Sequence, residues 1–129
     1  MKLGKFKFPS RGIGLVAMED IDQIINLGEY LVKGGEITDE SREIWDNWVE
    51  TPILGRYLNH NKKPNTFPIL KDDKIIIYTN RKINRLDEIT INYFDVATLI
   101  DIPENKFEEI GIRDFEYTDE KIIEVTDKK

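Results

Sequence analysis

Short apolar runs separated by turn residues set the pattern of this chain. Ile13 to Met18 lies between Ser10-Arg11-Gly12 and Glu19-Asp20, too short for a helix and sized for a strand. Ile25 to Val32 predicts a second strand, closed by the turn Lys33-Gly34-Gly35. From Asp39 to Val49 the spacing puts Ile44, Trp45 and Trp48 on one helical face, which predicts a helix ended by Thr51-Pro52. The polar stretch Asn61 to Asn65 has turn residues without periodicity and reads as a loop. Phe67 to Leu70 and Lys74 to Thr79 flank Asp72-Asp73, the pattern of a hairpin. Ile89-Thr90-Ile91-Asn92-Tyr93 alternates strictly, placing Ile89, Ile91 and Tyr93 on one strand face. After Ile102-Pro103 the pattern predicts an amphipathic turn at Asn105 to Ile110, a short strand near Phe115 to Tyr117 and a frayed tail over residues 119–129. Many short strands, one helix and no internal repeat predict a mostly β fold.

Composition narrows the chemistry. The 129 residues suit one domain. The absence of cysteine excludes disulfide frameworks, cysteine zinc sites and thiol catalysis, and a single histidine argues against a protein-only zinc site. A net charge of −6 disfavours a bulk electrostatic hold on nucleic acid or anionic lipid and suits cationic partners. No apolar run is long enough to span a membrane, and the basic start Met1-Lys2-Leu3-Gly4-Lys5 leads into no apolar segment. The expectation is an intracellular, cytoplasmic protein with neither nucleic acid nor membrane as partner.

Three segments are candidates for function. In Arg11-Gly12-Ile13-Gly14-Leu15, two glycines beside a strand let backbone amides approach a ligand, although an isolated G-x-G equally marks a bulge or turn. Arg56-Tyr57-Leu58-Asn59-His60-Asn61-Lys62-Lys63-Pro64-Asn65 carries the only histidine, with no triad order or metal spacing around it, so a structural role competes with a functional one. In the third, Ile83 to Phe94, Tyr93 sits where a core would open, and an ordinary amphipathic core tyrosine is the competing reading.

In this order the segments resemble the SET-domain protein lysine methyltransferases. R-G-I-G-L-V-A is similar to their opening G-x-G strand, R-Y-L-N-H-N-K-K-P-N to the middle motif R-F-x-N-H-S/C-x-x-P-N, and R-L-D-E-I-T-I-N-Y to the closing G-E-E-L-x-x-x-Y. The resemblance implies a mostly β, β-clip-like fold of small curved sheets. The middle motif would pass beneath a loop made by the closing one, as a threaded pseudoknot. It implies a domain over residues 1–110, with residues 111–129 as a lid or acidic tail that could bring Phe115 or Tyr117 over the cofactor, a role also open to Phe107. It further implies S-adenosylmethionine as cofactor, bound by Arg11, Gly12, Ile13, Gly14, Asn59, His60 and Phe94, with no metal. Tyr93 would stand at the methyl-transfer point and Tyr30 would line the lysine channel. The partner would be a lysine-containing basic protein. A chain this short resembles the minimal viral and bacterial members, placing it in a host cell interior if viral, and a homodimer would complete so small a site.

Three positions depart from the pattern: Asn61 where serine or cysteine is usual, Arg85-Leu86 at a glycine turn, and Phe94 in place of glycine. They motivate the alternative of a catalytically inactive SET-like binding module. The segment Lys33 to Ile53 is short for the family's variable insert, with Trp45 and Trp48 as candidate walls of a substrate groove.

Overall fold

The computed structural model describes residues 3–9 and 12–107. Arg11 and the expected strand, lid and tail beyond Phe107 lie outside the described residues.

Two small sheets make the frame. The first has strand order β1-β2-β9-β6, from Leu3–Phe8 (β1), Gly12–Ala17 (β2), Glu88–Ile91 (β9) and Asn59–His60 (β6). The second runs β4-β5-β3-β8-β7, from Glu43–Trp45 (β4), Trp48–Glu50 (β5), Asn26–Lys33 (β3), Lys74–Thr79 (β8) and Thr66–Lys71 (β7). The mostly β architecture in small sheets is the one the sequence leads one to expect. Leu15, Leu31, Ile75, Ile77, Ile89 and Ile91 are fully buried and form the centre of one core cluster. In β8 the alternation is visible residue by residue: Ile75, Ile77 and Thr79 are buried, while Lys74, Ile76 and Tyr78 are only partly covered.

The predicted hairpin forms, with β7 and β8 in register from Thr66↔Thr79 to Lys71↔Lys74. Its turn places Asp72 and Asp73 at φ values of 50° and 60°, the left-handed geometry of a tight two-residue hairpin.

The helix predicted over Asp39 to Val49 does not form. That stretch is a hairpin, β4 and β5, whose turn residues Asp46 and Asn47 also have positive φ (41° and 67°). Trp45 pairs across it with Trp48, so the apparent helical face came from two strands folding onto each other. Asp-Asn between apolar residues is a hairpin signal that outweighs a short helical period. The helices lie elsewhere: Leu54–Tyr57 (α1), Tyr93–Leu99 (α2) and a 3-10 turn at Glu104–Lys106 that overlaps only the start of the expected amphipathic turn, whose residues 108–110 lie outside the described residues. β1 was not foreseen; its Lys-Phe-Lys-Phe alternation, paired along β2 from Leu3↔Ala17 to Phe8↔Gly12, is the missed signal.

The segment that positions the site is β6. It pairs parallel with β9, Asn59↔Thr90 and His60↔Ile91, while β2 pairs antiparallel with β9. Beyond β6 the chain holds β9 through side chains as well. The Asn65 amide donates to Glu88 O at 2.9 Å and its Oδ1 accepts from Thr90 N at 3.0 Å, standing in for a strand's peptide group. Thr66 Oγ1 donates to Thr90 O at 2.6 Å. Parallel neighbours need a long crossover, and the intervening β7–β8 hairpin supplies it.

Candidate functional site

β9 ends at Ile91, and the next residue, Asn92, accepts through Oδ1 from Phe94 N at 2.9 Å and so caps α2. Tyr93 is therefore the first residue of a helix, not the last of a strand, and does not share a strand face with Ile89 and Ile91. The turn of the chain aims it toward β6. Its backbone N–H donates to His60 Nδ1 at 2.9 Å, and its hydroxyl donates to Leu58 O at 2.7 Å. His60 is 1% exposed. A ring nitrogen that accepts from a backbone amide carries no proton, so the imidazole is neutral with its hydrogen on Nε2. Its ring packs against Tyr93 at 5.1 Å and Phe94 at 5.5 Å, and Phe94 in turn meets Phe107 edge-on at 5.5 Å. His60 is thus both structural and adjacent to the candidate reaction point.

Asn59, the other half of the pair, points toward β2. Its amide donates to Ile13 O at 3.3 Å and to Glu88 Oε2 at 2.9 Å. Gly14 faces the same two side chains: a Cβ there would come within 2.7 Å of Asn59 Nδ2 and 2.5 Å of Glu88 Oε2. Gly12 has φ +83°, which favours glycine, with open space around it. Gly12, Ile13, Gly14 and Asn59 are therefore brought together. Glu88, which the sequence reading left without a role, is part of that cluster. The glycine turn expected before it is retained without glycine, because Leu86 takes φ 74° itself.

On the other side of Tyr93 lies a cavity of about 120 Å³ lined by Tyr30, Leu31, Arg42, Ile44, Glu50, Gly55, Arg56, Tyr93, Val96 and Ile102. Both tyrosines proposed from the sequence line it. Burial pushes the Tyr30 phenol well above its ordinary pKa, with Tyr93 and Glu50 adding to the rise and Arg42 opposing it. The phenol stays protonated at neutral pH. Gly55 lets α1 lie against β3, since a Cβ there would overlap Tyr30 O. Trp45 and Trp48 are not among the lining residues; Ile44, on β4 of that hairpin, takes the place expected of them.

Sequence reasoning also missed the charged part of the lining. Glu50 is 8% exposed, and its Oε1 lies 3.4 Å from both Arg42 Nε and Arg56 Nη1. Nothing in the sequence pattern gives Glu50 a role; only the β5 pairing of Glu50 with Leu31, beside Tyr30, turns it inward.

A two-sheet β fold, a side-chain-locked parallel crossing and a tyrosine-lined cavity beside it define the class of domain. The SET domain family model matches residues 29–94, from the strand that carries Tyr30 to Phe94, and the chain belongs to this family. Among solved structures, a candidate histone methyltransferase of Plasmodium falciparum is similar at 23% identity and TM-score 0.49, over 71% of this chain and 92% of that one. KRYPTONITE, solved in complex with mCHH DNA, an H3(1-15) peptide and SAH, is similar at 19% identity and TM-score 0.52, over 70% of this chain and 23% of that one. No curated protein sequence matches the chain.

Proposed function

We propose that this SET domain transfers a methyl group from S-adenosylmethionine to a lysine side chain of a basic protein. The observation that carries the reading is the pairing of Tyr30 and Tyr93 in one cavity, with the Asn59–Gly14 cluster reached through the same β6 segment. KRYPTONITE, of the same fold, holds SAH and a histone peptide, which supports this donor and acceptor class.

The residues on the cofactor side suit such a donor. Gly14 leaves a cradle that a methyl group would fill, beside the polar atoms of Asn59 and Glu88. Gly12, Ile13, Gly14, Asn59, His60 and Phe94 would hold the donor, Arg11 lying outside the described residues. The bound donor supplies an electrophilic methyl group on a cationic sulfur.

The chain's own residues do the rest. Leu58 O fixes the Tyr93 phenol by accepting its hydrogen bond, which orients the phenol oxygen in the cavity where the amine would lie. Tyr30, held neutral by burial, adds a polar wall without adding charge. An amine enclosed by these groups and by Val96 and Ile102 is stripped of water, which disfavours its ammonium form and exposes the nucleophilic lone pair. Holding donor and amine in line then supplies most of the acceleration, with no covalent intermediate on the protein.

The test is transfer of labelled methyl groups to a mixture of basic proteins, followed by lysine mapping. The expected result is label on lysine that disappears with Tyr93→Phe. Calorimetry with S-adenosylmethionine separates the alternative: a folded chain that neither binds the donor nor transfers label is a SET-like binding module.

A further inference from the structure

The cavity beside Tyr30 and Tyr93 carries one more cation than it needs. Its lining holds Arg42 and Arg56 against the single carboxylate of Glu50. A carboxylate this deeply covered needs one good cationic partner to offset its lost hydration. Arg56, on α1, is that partner: it is the less exposed of the two, at 37%, and it donates a hydrogen bond to Oε1. Arg42 stands at the same 3.4 Å but only through charge proximity of its Nε, and its side chain is 63% exposed. Its backbone is fixed, because Arg42 O accepts from Glu50 N at 2.9 Å, so the side chain alone is free to leave. Glu50 Oε2 accepts no hydrogen bond from the described residues.

We infer that Glu50 is a specificity-determining residue that receives an arginine of the substrate next to the target lysine, and that Arg42 is a built-in competitor occupying its place. The inference rests on the peptide-methylating reading above. A guanidinium already occupies the slot through one nitrogen and one oxygen. An incoming guanidinium can instead span Oε1 and Oε2 as a fork, the geometry in which arginine outperforms lysine. The net charge of −6 favours the approach of such a segment. When Arg42 swings outward, the incoming cation restores the same charge balance, so exchange adds no uncompensated charge to the cavity.

The test uses the full chain, labelled with ¹⁵N and titrated at constant ionic strength with n-propylguanidinium, n-butylammonium and n-butanol, following the amides of Glu50 and Gly55. The wild type is expected to bind propylguanidinium more tightly than butylammonium, and butanol least. Arg42→Ala is expected to tighten propylguanidinium by about three- to fivefold, the range of a single partly exposed ion pair, with butanol unchanged. Glu50→Gln is expected to erase the preference for cations. Equal propylguanidinium binding by wild type and Arg42→Ala overturns the inference, as does a preference for butylammonium. Because the readout involves no methyl transfer, the outcomes separate. Transfer to lysine without guanidinium selectivity sinks only the Glu50 assignment. Selectivity without donor binding leaves a guanidinium pocket and sinks the methyl-transfer reading.

Discussion

The backbone amide of Tyr93 donates to the ring of His60 at 2.9 Å, while the phenol of the same residue donates to Leu58 O at 2.7 Å. Both partners lie on the segment that threads beside β9, so one residue is held at its two ends by one neighbouring strand. Position and orientation of the phenol are fixed separately. Tyr93→Phe is expected to cost about 1 kcal/mol of stability, the typical worth of one hydrogen bond, while lowering methyl transfer by roughly tenfold or more. A thermal melt and a transfer assay on the same preparation check both. Full activity would remove the phenol from the mechanism.

His60→Ala removes a buried ring and the acceptor for Tyr93 N–H together. The expected loss is about 2–4 kcal/mol in urea denaturation, combining a cavity with an orphaned backbone donor. A change below about 0.5 kcal/mol, the level of an ordinary surface substitution, contradicts the role given to that nitrogen.

Gly14→Ala is expected to weaken S-adenosylmethionine binding in calorimetry more than it weakens the fold. The added methyl would meet Glu88 Oε2 at 2.5 Å, Asn59 Nδ2 at 2.7 Å and the Phe8 ring at 2.9 Å, and so fills the cradle. Donor affinity within a factor of two of wild type would mean the cradle is not where the donor sits.

Asp73→Gly addresses the hairpin turn. At φ 60° an L residue is strained and glycine is not, so stability should rise by up to about 1 kcal/mol. A fall in the urea midpoint would show that the Asp73 side chain contributes more than the strain costs.

Tyr30 gives a pH signature. Its phenol pKa is raised by burial in the folded state, so the unfolded chain loses that proton first as pH rises, and folding stability falls above about pH 10, where an unburied tyrosine ionises. Below that the contribution is constant. Tyr30→Phe should flatten the alkaline limb of a stability profile measured by urea midpoints, and an unchanged slope would assign the limb to other groups.

Much of this was legible in the sequence because it depended on local chemistry. Asp72-Asp73 between two apolar runs specifies a hairpin without help from the rest of the chain, and the three motifs pointed to the family, whose resemblance implied roles for Tyr93 and Tyr30, two residues that line one cavity. What failed was decided at longer range. Ile44, Trp45 and Trp48 satisfy a helical period, but the positive φ of Asp46 and Asn47 folds them into paired strands. Alternation carried the strand through Tyr93, whereas the Asn92 cap stopped it at Ile91. Glu88 and Glu50 were invisible as site residues because each is defined by a partner on another element: Asn59 for one, Arg56 for the other. Composition and spacing carry no record of such encounters.

The locking of β9 by Asn59, His60 and the Asn65 amide has a consequence for how the molecule comes into being. Asn59 leaves the ribosome 29 residues before Glu88, its side-chain partner, and must wait for it. No nascent fragment that stops short of β9 can make the Asn59–Glu88 contact, and none that stops short of Tyr93 can complete the cavity it lines with Tyr30. The contact between β6 and β9 can therefore form only after both segments have emerged.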